Sequence, residues 1–156
     1  MAVHLLDRRN VGIVPSDFQL KTMNLLHRMV LKLSGGKIGW TTAGMPALQL
    51  TTLGRKTGEP RSVMLTSPIQ EGETIVIVAS RGGDPQHPAW FLNLQANPDV
   101  TVSLQGKPSR PMRARVATAE ERATMWPQVT ASYKGYAGYQ TKTTREIPLV
   151  LLEPLN

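Results

Sequence analysis

The chain has 156 residues, a length typical of one domain with a substantial buried core. It contains no cysteine, which excludes disulfides, thiolate metal sites and a cysteine nucleophile, and its 3 histidines lie too far apart in sequence to suggest a zinc site. With 18 Lys and Arg against 11 Asp and Glu, the formal net charge is +7, which favours an anionic partner: nucleic acid, a membrane surface or a small polyanion.

The N-terminal region predicts an arm followed by a basic amphipathic helix. Residues 1–15 lack the apolar core and cleavage site of a signal peptide and are expected to form a flexible arm. A helix is predicted over 16–34, with Ser16 as its cap and Gly35-Gly36 as its end. Its apolar stripe is expected to pack on the protein's own sheet, and a membrane surface is the alternative. No apolar run approaches the ~20 residues that span a bilayer, so we expect a cytoplasmic protein, with peripheral contact at the inner membrane left open.

The middle of the chain predicts strands. Strands over 47–53 and 62–69 flank a basic turn, and Glu71-Gly72-Glu73 is a hairpin turn. The continuous apolar, β-branched run over 74–80 predicts a central strand that is buried on both faces. Residues 81–88 are rich in Gly and Pro and are expected to be irregular.

The remainder of the chain alternates between short helices and strands. The predicted elements are a helix over 89–96, strands over 100–104 and 112–116, a helix that Thr118 and Glu121 begin as a capping box and that continues through Trp126, and a strand over 147–152. Strands joined by hairpins, with helices at the corners, predict a small, mostly antiparallel barrel with peripheral helices, as a single domain over 16–156.

The basic turn is the strongest candidate for a binding site. Gly54 and Gly58 permit a positive φ and a close approach of backbone to a ligand. Arg55, Lys56 and Arg61 are charge-assisted donors for phosphate or carboxylate. The turn therefore predicts an anion site at the end of a sheet, and a solvated surface turn without a ligand is the alternative.

Two further segments could contribute to the same site. The glycines after the central strand expose backbone N–H groups, and Arg81 adds a cation. Trp90 and Asn93 stand near the start of a short helix, where anions are favoured and an indole can cover a flat ring. For Trp90, a plain core position is the alternative.

The only tyrosines of the chain, Tyr133, Tyr136 and Tyr139, are spaced to lie along one side of a helical turn. They predict a ligand wall or hydrogen-bond donors to a substrate carbonyl, with a partly buried helix face as the alternative. No nucleophile elbow and no carboxylate pair in an apolar setting appears. Anion donors and a flat-ring pocket without a nucleophile favour redox chemistry that a cofactor carries out.

Several ordered blocks, spanning roughly residues 45–154, resemble one family. The blocks are Thr51–Arg61, Val78–Gly83, Pro88–Pro98, Ala114-Arg115, Glu120–Arg122, Trp126, Tyr136, Tyr139-Gln140 and Thr144–Pro148. Together they resemble the actinobacterial deazaflavin-dependent nitroreductases, also described as coenzyme F420-dependent quinone reductases.

This resemblance implies a split β-barrel that binds 8-hydroxy-5-deazaflavin (coenzyme F420), whose phosphate and oligoglutamate tail make it a polyanion. It implies hydride transfer to quinones, activated enones or nitroaromatics. The implied cofactor-binding residues are Arg55, Lys56, Thr57, Arg61, Met64, Val78, Ala79, Ser80, Arg81, Gly82, Trp90 and Asn93. Tyr136 is the first choice for hydrogen-bonding the acceptor oxygen, and Ser80, Tyr133 and Tyr139 are further candidates. Met64 stands where relatives often carry proline, so the choice of acceptor stays open.

Three alternatives remain at this point: a deazaflavin carrier without catalysis, a flavin mononucleotide enzyme of the same barrel, and a nucleic-acid-binding barrel. The third is not favoured, because aromatic residues are only 5% of the chain and do not interleave with the basic residues as a stacking platform would. The expected partner is therefore a small electron acceptor and not nucleic acid, and the oligomeric state stays open.

Overall fold

The computed structural model describes residues 21, 22, 24–26 and 40–155. Residues 21, 22 and 24–26 are helical, in agreement with the helix predicted over 16–34. The rest of that helix, with its predicted cap and its glycine end, lies outside the described residues, as does the arm predicted over 1–15.

The strands are β1 (Thr41–Thr42), β2 (Met45–Leu53), β3 (Pro60–Thr66), β4 (Ile69–Glu71), β5 (Thr74–Val78), β6 (Asp99–Leu104), β7 (Arg110–Val116) and β8 (Leu149–Pro154). The helices of residues 40–155 are α1 (Ala89–Ala96), α2 (Ala119–Ser132) and α3 (Gly135–Thr141), with a 3₁₀ turn at Arg81–Gly83. Among the described residues, no helix is both long and apolar enough to cross a membrane.

All strand pairs are antiparallel, in the order β1-β2-β6-β7-β8-β5-β4, and β3 pairs with the other edge of β2. Because direction alternates along this order, β2, β5 and β7 finish at the end of the sheet where β3, β6 and β8 begin. We call this end the turn end, because it carries the basic turn between β2 and β3. The segment that follows β5 therefore lies at the same end as the basic turn.

The sheet separates two apolar clusters. The inner cluster includes Leu48, Leu50, Ile75, Ile77, Phe91, Met112 and Leu152. The outer cluster includes Met45, Val76, Val78, Val129, Tyr136, Ile147 and Leu149, with further side chains of α2 packed against it. Strand β5 contributes to both clusters and is buried from Ile75 to Val78, which confirms the strand predicted to be covered on both faces.

Ser67 closes the curl of the sheet. Its side chain is fully buried, with the hydroxyl 2.8 Å from the carbonyl oxygen of Ile69 and 2.7 Å from that of Val76. Its N–H donates to the carbonyl of Pro46 at 3.0 Å. One small residue thereby connects the start of β2 to β4 and β5, which lie at the far edge of the strand order.

The structure corrects several boundaries, including the strand predicted over 147–152, which is observed as Leu149–Pro154. The strand predicted over 62–69 is wrong beyond Thr66, because Ser67 and Pro68 leave the ladder and a separate strand, β4, follows. Proline has no N–H to donate, and the Ser67 hydroxyl competes for nearby carbonyls. The strand predicted over 74–80 ends at Val78, and the segment predicted to be irregular over 81–88 begins with the 3₁₀ turn.

The helix that begins with the capping box is confirmed, and it extends beyond its predicted end. Thr118 accepts from the N–H of Glu121, and the Glu121 carboxylate accepts from the N–H of Thr118. The helix runs to Ser132 through Pro127, beyond the predicted Trp126. Helix α1 covers the predicted span, and β1 was not anticipated from the sequence.

Candidate cofactor and substrate site

The basic turn is tightly wound by its own backbone. The N–H of Gly54 donates to the carbonyl of Glu59 at 2.8 Å, and the N–H of Gly58 donates to that of Gly54 at 2.7 Å. Gly58 has a φ of 73°, which side chains disfavour. A Cβ at Gly54 would come within 2.9 Å of the Thr57 hydroxyl. The turn itself therefore favours glycine at both positions, Gly58 for its φ and Gly54 for space.

Asn93 of α1 fixes one cation of this turn. Its Oδ1 accepts from the backbone N–H of Arg55 at 3.2 Å and from the guanidinium Nη1 of Arg55 at 3.0 Å. Its Nδ2 donates to the hydroxyl of the buried Thr52 at 3.2 Å. The Asn93 amide thus holds the turn against α1, whereas the family resemblance implied that it holds a ring.

Lys56 and Arg61 are the cations of the turn that stay open to a ligand. Both are exposed, and within the described part of the chain neither side chain forms an ion pair or a hydrogen bond. Arg61 lies opposite Thr52 in the β2–β3 pair, on the side where Asn93 fixes Arg55. Three cations therefore converge at one end of the sheet.

The segment that follows β5 forms a second part of the site. Val78, Ala79 and Ser80 are buried, at 7%, 0% and 9% exposure. The Ser80 hydroxyl neither donates nor accepts a hydrogen bond within the part of the chain that the structure describes. Arg81 has a positive φ, of 46°. Its guanidinium lies 3.5 Å from the carboxylate of Asp84. The side chain that was predicted to bind a phosphate therefore has an acidic neighbour. Gly82 also has a positive φ, of 66°.

The tyrosines form a row of rings, although not on one helical turn as predicted. Tyr133 ends α2, whereas Tyr136 and Tyr139 belong to α3. The rings meet edge to face, with centroids 5.2 Å apart for the first pair and 6.1 Å for the second. The prediction of a single helical face is wrong because the backbone leaves the helical conformation at Tyr133, where φ is −151°.

Tyr136 connects α3 to the end of β3. Its side chain is 6% exposed, and its hydroxyl lies 3.3 Å from Thr66 Oγ1 and 3.9 Å from Met45 Sδ. Burial raises the pKa of Tyr136, although the hydrogen bond to Thr66 lowers it in part. Burial and the contact with Tyr133 raise the pKa of Tyr139 to about 12. Both phenols therefore keep their protons at neutral pH and can donate.

Strand β3 joins these parts. Val63 and Leu65 pack on the inner cluster, so Ser62, Met64 and Thr66 face outward. Met64 is 6% exposed, and its N–H donates to Asn24 Oδ1 at 2.6 Å. The strand runs from the basic turn to the hydroxyl contact with Tyr136, a path of about 20 Å.

The remaining predicted residue, Trp90, serves the core in part. Its ring is partly exposed, packs against the inner cluster and meets Phe91 edge to face at 6.3 Å.

A separate open depression of about 320 Å³ lies on α2 and α3, lined by Arg122, Trp126, Gln140, Thr144 and Glu146. It includes none of the predicted site residues. No cluster of metal-ligating side chains occurs among the described residues.

Arg145 is the site residue that sequence reasoning missed. It binds the carbonyls of Ala79 and Ser80 from the segment between α3 and β8. No local pattern signals this contact, because its partners lie 66 and 65 residues away in sequence.

These parts suit a ligand with an acidic end and a flat ring. The turn supplies two open cations and one fixed cation for carboxylates or phosphate. The segment after β5 offers a hydroxyl without a partner among the described residues, and the tyrosine row offers protonated phenols. The donor set is thus positive at the turn, which suits an anionic group, and neutral at the tyrosines, which suits an uncharged oxygen acceptor.

Comparison with known proteins gives consistent matches. The family model described as F420H(2)-dependent quinone reductase matches residues 23–154. An F420H(2)-dependent quinone reductase of Mycobacterium tuberculosis is 37% identical over 133 residues, which cover 81% of this chain and 87% of that protein. A solved structure of an F420-H2 dependent reductase is 42% identical, with a TM-score of 0.62, covering 69% of this chain and 94% of the other. A domain-swapped dimer is 37% identical, with a TM-score of 0.64, covering 83% and 96%.

Proposed function

The chain belongs to the family of F420H(2)-dependent quinone reductases, and on this premise we propose a residue-level account of how it binds coenzyme F420 and a quinone. It is an oxidoreductase with the split-barrel fold of F420-dependent reductases. When bound, the reduced deazaflavin supplies a hydride. The residues below bind, orient and protect the two reactants.

The acidic tail of the cofactor binds at the basic turn. Lys56 and Arg61 are exposed and without partners among the described residues, so they can meet carboxylates without breaking an existing ion pair. Arg55 presents a preorganised charge, because Asn93 already holds its guanidinium at 3.0 Å. Thr57 completes the turn.

The ring of the cofactor would be held by β3 and the segment that follows β5. Ser80 has an uncommitted hydroxyl there, and the backbone of Val78 and Ala79 forms the wall. The outward face of β3 leads from the tail site to this position. Trp90 borders it from α1.

Tyr136 donates to the acceptor oxygen. Its raised pKa keeps the phenol protonated, so it can stabilise negative charge that develops on a quinone oxygen. Tyr133 and Tyr139 shape the acceptor side, and the final proton comes from solvent. The same donor suits activated enones and nitroaromatics, which are proposed as further acceptors.

Peripheral membrane contact is proposed through the N-terminal helix. Its described part exposes Leu25 at 57% and Leu26 at 55%. A Leu25→Ser, Leu26→Ser variant should lose cosedimentation with anionic vesicles if this contact forms, and unchanged cosedimentation would contradict it.

Fluorescence titration with coenzyme F420, followed by steady-state oxidation of the reduced cofactor with menadione, tests the function. We expect saturable binding, and turnover that requires the reduced cofactor. Binding without turnover would favour a carrier, and tighter binding of flavin mononucleotide would favour a flavin enzyme of the same barrel. The observation that carries the proposal is the convergence of Arg55, Lys56 and Arg61 beside Asn93.

A further inference from the structure

Arg145 gathers three carbonyls of the segment that leaves β5. Its Nε donates to the carbonyl of Asp84 at 2.8 Å, its Nη1 to that of Ala79 at 3.2 Å and its Nη2 to that of Ser80 at 2.8 Å. These bonds use the planar fork of a guanidinium, which a lysine ammonium cannot reproduce. One side chain therefore sets the path of the backbone that forms the proposed wall of the ring site.

His87 completes this clamp and connects it to α1. Its Nδ1 lies 3.2 Å from Arg145 Nη1. A guanidinium only donates, so Nδ1 must accept, which requires a neutral imidazole with its proton on Nε2. The His87 ring packs at 4.7 Å against Phe91. Protonated His87 would lose this bond and would place a second cation against Arg145.

Among the described residues, the charged group in contact with His87 is Arg145, and Asp84 and Arg81 in turn act on the charge of Arg145. Arg145 approaches from the segment before β8, Asp84 and Arg81 come from the same loop as His87, and the α1 neighbour, Phe91, is uncharged. Burial, and then the charge of Arg145, lower the pKa of His87 from its ordinary value of 6.5. The clamp is thus formed at neutral pH and weakens as the pH falls through that lowered pKa.

The clamped segment also contacts the tyrosine helix. A Cβ at Gly83 would lie 2.6 Å from the carbonyl oxygen of Tyr139 and 3.0 Å from Cβ of Lys142. Helix α3 thus packs directly on the backbone that Arg145 holds. A shift of this backbone would displace the proposed ring wall and the acceptor side together.

We propose that Arg145 is a positioning residue that holds the backbone from Ala79 to Asp84 in the geometry the cofactor site requires, and that protonation of His87 weakens this hold. This inference rests on the proposed function for its consequence in binding. The clamp itself is a property of the free protein. Arg145 acts through this backbone and does not touch the reacting atoms.

The first test compares Arg145→Lys with Arg113→Lys, a matched change at an exposed ion pair with Asp99. In the free protein, Arg145→Lys should lose amide hydrogen-exchange protection at Gly83 and Asp84, whose N–H groups bond within the segment. Its affinity for coenzyme F420 should fall about tenfold, as expected for the loss of charge-assisted hydrogen bonds. The control should match the wild type in both measurements. Unchanged protection and affinity in Arg145→Lys would overturn the proposal.

The second test uses His87→Asn, whose Oδ1 can accept from Arg145 but does not titrate. The ratio of wild-type to variant affinity, measured from pH ~7.5 to ~4.5, cancels any titration of the cofactor itself. We expect wild-type affinity to fall relative to the variant as the pH is lowered, and a constant ratio would overturn the role of His87. If the wild type does not bind deazaflavin at all, the proposed function fails, and the exchange data still decide whether the clamp exists.

Discussion

At the scale of single residues, the proposed chemistry depends on phenols that keep their protons. Tyr136 is the most buried of the three tyrosines, and among the described residues its hydroxyl forms polar contacts only with the Thr66 hydroxyl and the Met45 thioether. Neither neighbour is charged, so an acceptor oxygen that gains negative charge can compete for this proton. Ser80 adds a second hydroxyl without a partner in the described part of the chain.

Replacing Tyr136 with Phe removes this donor and leaves the ring in place. We expect kcat for menadione to fall by about 10²-fold to 10³-fold, as in oxyanion sites that lose one donor, while the affinity for the cofactor is unchanged. Tyr133→Phe and Tyr139→Phe are the matched comparisons and should lose less. Full turnover by Tyr136→Phe in steady-state assays would remove this residue from the mechanism.

The sequence predicts what local patterns determine. The capping box of Thr118 and Glu121, the span of α1 and the buried strand through Ile77 all follow from neighbouring residues, and the structure confirms them. The family resemblance supplied the cofactor and the set of site residues.

What the sequence could not supply were contacts between distant residues. Asn93 binds Arg55 across 38 positions, and Tyr136 meets Thr66 across 70. No spacing rule reaches that far, so the role of Asn93 in fixing the turn emerges only from the structure. The break at Ser67 is similar, since its hydroxyl bonds to a strand on the far side of a hairpin.

At the scale of elements, the basic turn and α1 act as one unit. Asn93 is 5% exposed and uses both ends of its amide to connect β2, the turn and α1. Arg55 is held in place, whereas Lys56 and Arg61 are open. The unit therefore combines a fixed charge with adjustable charges, which suits a flexible tail of several carboxylates.

The double change Lys56→Gln with Arg61→Gln should weaken the binding of coenzyme F420 by about 10-fold to 100-fold, since two charge-assisted contacts are lost. The dependence of affinity on salt should decrease as well. Isothermal titration at two salt concentrations measures both effects. A deazaflavin without phosphate and glutamates should bind the variant as it binds the wild type.

The matched control is Lys107→Gln with Arg110→Gln, which removes the same charge at the opposite end of the sheet. This control should bind the cofactor normally. Equal losses in the two double variants would mean that net charge, and not the basic turn, governs binding.

At the scale of the whole molecule, the curl of the sheet brings Ser67, just after β3, into contact with β5, although these strands are distant in the strand order. Ser67 makes this closure through bonds to β2, β4 and β5. Tyr136 adds a second connection, from α3 to β3. The site therefore depends on closure of the sheet as well as on its own side chains.

Ser67→Ala should lower the free energy of unfolding by about 1–3 kcal/mol, because buried carbonyls lose their donor. Ser103→Ala is the control, since its hydroxyl bond to Lys107 is exposed, and it should change stability by less than about 0.5 kcal/mol. Urea denaturation followed by circular dichroism measures both values. A Ser67→Ala protein as stable as the wild type would show that closure does not depend on this hydroxyl.

The account depends most on where the cofactor lies, and a crystal structure of the protein with coenzyme F420 tests this directly. We expect tail carboxylates within hydrogen-bond distance of Lys56 and Arg61, and the ring between β3 and Ser80 with Tyr136 facing the acceptor side. A tail that turns away from Lys56 and Arg61, or a ring bound away from β3 and Ser80, would contradict the account.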